Sequence, residues 1–243
     1  MNKTILLIIF LIFLSVNTIL TSDDSNEFNF TQGQATSGKK IFERMIAKVG
    51  DVQKIKNIRT IGETWQPIDY GSITFEVTIT AVFPDKFKIK FHDKEYIIND
   101  NKGWQKYPEG YFEMLPESFI PIIMGNLQRN IINLIKRKDD FRISYRREEV
   151  VDNINCDTIL LKNDEIELFI MISRESGLPV QFVYENLESD KKEIIFKAFR
   201  EYKKIDGILF PVHTISYNQD GEKLSEIRIK DIQFNIEIDE KDF

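Results

Sequence analysis

Between Ile73 and Phe83 the chain alternates strictly. Ile73, Phe75, Val77, Ile79, Ala81 and Phe83 fall on one side, and Thr74, Glu76, Thr78 and Thr80 fall on the other. A period of two predicts a half-buried antiparallel strand. Pro84-Asp85 turns the chain, after which Phe87, Ile89 and Phe91 alternate with Lys86, Lys88, Lys90 and His92. A short apolar run at residues 96–98, a polar turn at residues 99–103 and the aromatics Trp104, Tyr107, Tyr111 and Phe112 follow. Residues 141–147, 158–161, 165–173, 180–184, 192–202, 209–217 and 223–238 also read as strands. Asn163-Asp164, Ser176-Gly177, Asp206-Gly207 and Asp220-Gly221 supply the turn chemistry between several of them. Connections this short join antiparallel neighbours, because a parallel crossover needs about a dozen residues or more. The last strand changes phase between Ile227/Ile229 and Ile232/Phe234, which predicts a bulge near Lys230-Asp231.

Two segments break this pattern with helical spacing. Ser37 is placed to cap a helix carrying Ile41, Phe42, Met45, Ile46 and Val49 and ending at Gly50, with a short further turn over residues 51–58. In residues 116–138, Phe119, Ile120, Ile123, Leu127, Ile131, Leu134 and Ile135 recur at steps of three and four, predicting one long amphipathic helix. Pro121 suits its first turn. Lys136, Arg137 and Lys138 favour the negative end of the helix dipole, and a membrane-surface role is the alternative for them. The fold class expected is therefore α+β, mainly β. A single curved antiparallel sheet has an N-terminal helix and a central helix available to fill or cover its concave face.

With 243 residues and 42% hydrophobic content, the chain can bury a full core in one domain. Its net charge of -6 argues against nucleic acid, whose phosphates call for a concentrated basic surface. A lone Cys156 excludes an intrachain disulfide and a thiolate zinc cluster, and reads as a buried, inert thiol. No metalloprotease, nucleophile-elbow, P-loop or dinucleotide fingerprint occurs. His213 with Ser216 or Asp206 could be imagined as a hydrolytic triad, but no elbow or oxyanion loop accompanies it. His92, among lysines, reads as solvated. The acidic run Glu237, Asp239, Glu240 and Asp242 suits solvation better than calcium, since no fixed ligand spacing accompanies it. No catalytic residue, metal or cofactor is expected.

Residues 1–22 have the outline of a secretory signal peptide: Lys3, an apolar run over residues 5–14, and a polar stretch with cleavage expected near Ser22. The run is short for a membrane span, with an uncleaved anchor as the alternative, and no cysteine stands nearby to carry a lipid anchor. Residues 23–36 read as a disordered leader ahead of one domain over residues 37–243. Asn29-Phe30-Thr31 matches a glycosylation sequon. These features place the protein in the periplasm or otherwise outside the cytoplasm.

Two readings of the apolar faces remain open. Helix and sheet could fill one another completely, giving an ordinary core and a structural or protein-interaction module. They could instead enclose an apolar cavity able to take an acyl chain. The residues expected around it are Phe75, Val77, Ile79, Phe87, Ile89, Phe91, Trp104, Ile120, Ile123 and Leu127.

The order of motifs resembles the LolA-like outer-membrane lipoprotein carriers and lipoprotein-sorting proteins. It runs from a signal peptide and an amphipathic helix to a strand ending at Pro84, then Phe87, the Asn99 to Trp104 turn with Asp100 and Gly103, Tyr107-Pro108 and a helix. Ser176-Gly177-Leu178-Pro179, the Tyr202 to Pro211 segment and the closing strand from Ile229 extend the likeness across residues 37–243. The resemblance implies an incomplete β-barrel with a helical lid over a hydrophobic cavity, and no catalysis. It implies a cargo of lipid or acylated lipoprotein and transient contact with a membrane or membrane protein, with no oligomeric state specified. The family's carriers have an arginine directly before the matching proline, implicated in lid closure; this chain has Phe83.

Overall fold

The computed structural model describes residues 32–99, 102–186, 193–239 and 243. The expected signal peptide with Ser22, the expected sequon, Asp100, Glu240 and Asp242 lie outside them. Thirteen strands form one antiparallel sheet: β1 Asn57–Ile68, β2 Gly71–Val82, β3 Lys86–Phe91, β4 Lys94–Asn99, β5 Lys102–Lys106, β6 Phe112–Met114, β7 Arg142–Val151, β8 Ile154–Lys162, β9 Glu167–Ser173, β10 Pro179–Glu185, β11 Ile194–Ile205, β12 Ile208–Tyr217 and β13 Lys223–Phe234. Their order is β6-β5-β4-β3-β2-β1-β13-β12-β11-β10-β9-β8-β7. The sheet is thus two meanders joined where β1 pairs with β13, and β6 and β7 are its open edges.

The expected tight turns are formed with positive φ at Gly177, Asp206, Gly207 and Gly221. Asp152-Asn153, with φ of 50° and 64°, adds a hairpin turn between β7 and β8. The predicted bulge is present: Ile61 pairs with Asp231 and Gly62 with Ile229, so Lys230 is the extra residue. Gly62 is required there, since a Cβ would stand 2.5 Å from the Arg228 carbonyl oxygen.

The helix α1 spans Gln32–Val49 and begins ahead of Ser37, the expected cap. It packs against β7, β8 and β12, burying Phe42, Met45 and Val49 completely or nearly so. Its Gly38 rests on backbone, with a Cβ position 2.7 Å from Ser144 C and Tyr145 N. Arg44 pairs at 2.9 Å with the buried carboxylate of Asp157 on β8, which also takes Arg174 at 2.8 Å. Residues 51–58 do not extend the helix, because Asn57 and Ile58 already belong to β1.

The long central helix is corrected to two short ones, α2 Phe119–Gln128 and α3 Ile131–Lys136. Asn130 causes the break. It leaves helical geometry at ψ 133° and its side chain accepts a hydrogen bond from the Ile132 N–H at 2.9 Å, the bonding of an N-cap. Asn133, fully buried, donates its amide to the Leu127 carbonyl at 3.1 Å, a second bond beside the one that carbonyl accepts from the Asn130 N–H at 3.1 Å, and so ties α3 to the end of α2. Pro121 falls in the first turn of α2, as its chemistry requires. Lys136 donates to the Gln53 carbonyl, and Arg137 pairs with Asp140 and Glu165. Two of the three cations ending this segment are therefore held by protein partners.

Candidate functional site: a cavity under the broken helix

Along β1, β2 and β3 the inward residues share levels across the sheet. Thr64 stands opposite Phe75, Gly62 opposite Val77, Thr60 opposite Ile79 and Ile58 opposite Ala81. Val77, Ile79 and Ala81 in turn face Phe91, Ile89 and Phe87. On the other side β13 continues these levels with Ile227 and Ile229, and β12 and β11 with Thr214 and Phe199. Sheet curvature turns this surface toward the junction of α2 and α3. Between them lies a cavity of about 260 Å³, closed on the helical side by Ile122, Ile123, Asn126, Arg129, Asn130 and Ile131. It lies just below the roughly 300–1,000 Å³ common in small-molecule sites.

Seven of the ten residues expected around a cavity line it: Phe75, Val77, Ile79, Phe87, Ile89, Phe91 and Ile123. Trp104 does not. It pairs with Ile97, whereas the neighbouring Gln105 pairs with the cavity-lining Tyr96, so strand alternation turns the indole to the opposite face. Ile120 borders a separate shallow depression with Glu117, Pro121, Met124, Gln128 and Glu165. Leu127 has no exposed surface and belongs to the packed core. Ile120, Ile123 and Leu127 all lie on α2, but the cavity meets only its Ile122/Ile123/Asn126 side.

The wall also contains residues the periodicity did not reveal. Thr60, Gly62, Thr64 and Gln66 present a largely polar inward side on β1, so no apolar alternation marks that strand. Among the described residues, Lys197 and Arg129 are the two charged ones that line it. The Arg129 guanidinium lies 4.0 Å from the centre of the Tyr184 ring. Burial, and secondarily the Arg129 charge, push the Lys197 ammonium down to about 8. Tyr96 is buried and its hydroxyl has no hydrogen-bond partner among the described residues; burial is the main cause that raises its pKa. An Asn at residue 130 just before Ile131-Ile132 was a readable cap, and with it the break that presents Arg129.

His213 is not part of this site. Its Nε2 lies 2.9 Å from Glu226 Oε1, and Ser216, at odd offset on the same strand, faces the other way. Glu226 also takes Lys223 at 3.0 Å and Arg228 at 2.7 Å. Lys223 chiefly, with His213 and Arg228, holds the Glu226 carboxyl down to about 2 against an ordinary 4.5. A depressed carboxylate stabilises the fold fully above its unfolded value and loses that contribution as pH falls through its folded value. Glu226→Gln is therefore expected to lower Tm by about 2–4 °C at pH 7, for about 1 kcal/mol. The gap should close near pH 2, as thermal melts at both pH values would reveal. His92 sits exposed in the β3–β4 turn at φ 54°, with Phe75 5.2 Å from its ring. Cys156 is buried, and burial raises its thiol pKa. Among the described residues no group of three or more His, Cys, Asp or Glu side chains could hold a metal ion.

No protein-family model and no curated protein matches this chain. Solved structures do. A DUF1329 family protein from Desulfovibrio piger is similar with a TM-score of 0.62 at 13% identity, over 85% of this chain and 95% of that one. A domain described as an outer membrane lipoprotein-sorting protein, from Vibrio parahaemolyticus, gives 0.61 at 12%, over 86% and 96%. A LolA superfamily protein from Nitrosomonas europaea gives 0.59 at 13%, over 84% and 96%. At such identities the likeness is one of fold. The chain has a LolA-like fold: one open antiparallel sheet with helices on its concave side.

Proposed function

We propose that this protein is an exported, non-catalytic carrier that holds an acyl chain in its cavity and moves a lipid or an acylated lipoprotein between membranes. The observation that carries the reading is the unfilled, mainly apolar volume of about 260 Å³ between the sheet and the broken helix. A module with a filled core would have no use for it, since each buried aliphatic side chain filling such a space stabilises by about 1.5–3 kcal/mol. The LolA-like fold supports the same reading, and so does the signal-peptide pattern of residues 1–22. No helix among the described residues is long and apolar enough to cross a membrane.

On this reading, lid control would differ from that of LolA-like carriers. Phe83 stands where they have arginine; it packs half-buried against the core, its N–H donating to the Lys56 carbonyl at 3.0 Å. Opening would instead act at Arg129-Asn130, where two short helices meet. Native mass spectrometry of the purified protein should reveal a copurified acyl species, and a fluorescent fatty-acid probe should bind with saturation. A chain that is repeatedly empty and indifferent to the probe would count decisively against a carrier.

A further inference from the structure

Among the described residues, the charges of the cavity wall, Lys197 and Arg129, lie together. Lys197 stands opposite Ser216, which stands opposite Ser225 on the next strand. The level beside it holds Phe199, Thr214, Ile227, Thr64 and Phe75, and the levels beyond carry Val77, Ile79 and Ala81 with Phe91, Ile89 and Phe87. From Gln66 to Thr60 the wall runs about 20 Å at roughly 3.3 Å per residue. A volume of about 260 Å³ drawn out along such a wall suits one extended chain better than several.

Among the described residues no acidic side chain pairs with Lys197 or Arg129 to balance them. Among the described residues neither forms an ion pair, and Arg129 is an additional positive charge acting on Lys197. Two like charges beside an apolar space carry a desolvation cost that only an opposite charge offsets. A lysine placed only for packing would be better replaced by an aliphatic residue.

Resting on the carrier reading above, we infer that the occupant is a single-chain amphiphile with an anionic headgroup, carboxylate or phosphate. Its head lies between Lys197 and Arg129, and its chain runs along β2 and β3 toward Phe87. The Ser225 hydroxyl and the Gln66 amide, near the Lys197 level, are the neutral donors available to the same head.

The test compares dodecanoate, dodecyl phosphate, dodecanol and dodecyltrimethylammonium by displacement of a fluorescent probe from the wild-type chain, Lys197→Met and Lys197→Arg. At least one of the two anions should bind more than tenfold tighter than dodecanol, the cation should bind worst, and which anion leads identifies the head. Lys197→Met should cut the anion affinity about tenfold and leave dodecanol unchanged, and Lys197→Arg should restore it. Thermal melts confirm that the variants fold, which removal of an unbalanced charge favours. Equal affinity for acid and alcohol, or an anion affinity unmoved by Lys197→Met, overturns the headgroup assignment and leaves the carrier standing. Failure of every amphiphile to bind overturns the carrier and this assignment with it.

Discussion

Replacing Ile79 by Trp is expected to weaken binding of a fluorescent fatty-acid probe more than tenfold while the chain stays folded. Ile79 is half-buried on β2 between Thr60 and Ile89, and its side chain borders the cavity. Extra side-chain bulk in a packed core forces neighbours off their rotamers, at about 1–3 kcal/mol. At Ile79 the indole can enter existing space, so most of that cost is avoided and the occupant's room is lost instead. A tenfold loss corresponds to about 1.4 kcal/mol of binding. The matching control is Ile170→Trp, at a fully buried position on β9, which should lower Tm sharply because no such space adjoins it. Probe titration and thermal melts of both variants make the check. Undiminished probe affinity in folded Ile79→Trp would move the binding site elsewhere on the molecule.

What periodicity revealed and what it missed divide along a physical line. Strands whose inner side packs against apolar neighbours announced themselves: β2 and β3 alternate because Val77, Ala81, Phe87 and Phe91 are buried, and the phase slip at Lys230 marked a real bulge. The strand β1, central to the sheet, was silent. Its inner residues Thr60, Gly62, Thr64 and Gln66 are polar or lack a side chain, so no apolar alternation marks the strand, although β2 and β3 line the same cavity with apolar residues. The helix pattern over residues 116–138 was correct in its apolar face and wrong in its continuity. Every third or fourth residue is apolar on both sides of Arg129, yet one Asn side chain competing for backbone bonds ends α2 and starts α3. Lys197 carried no sequence signal, because it lies within Ile194–Ile205, where long-range pairing, not local pattern, decides which side faces inward.

A comparison of Leu134→Ala with Ile123→Ala separates a helix that plugs the sheet from one that roofs a cavity. Leu134 on α3 has no exposed surface and is part of the main core, so its truncation removes buried methyl groups and leaves a hole. Such changes cost about 2–5 kcal/mol, or a Tm loss of about 5–20 °C in a domain of this size at roughly 2–4 °C per kcal/mol. Ile123 on α2 is only half-buried and already borders empty volume. Its truncation enlarges a space that exists, so few packed neighbours lose contacts, and the cost should stay near 1 kcal/mol or below. Probe binding should respond in the opposite order, with Ile123→Ala altering affinity and Leu134→Ala leaving it nearly unchanged at temperatures where the variant is folded. Thermal melts and probe titrations on the two variants decide the matter. Equal and large stability losses at both positions would mean that Ile123 is embedded in a filled core, and the cavity reading would then fail at the residue that forms its roof.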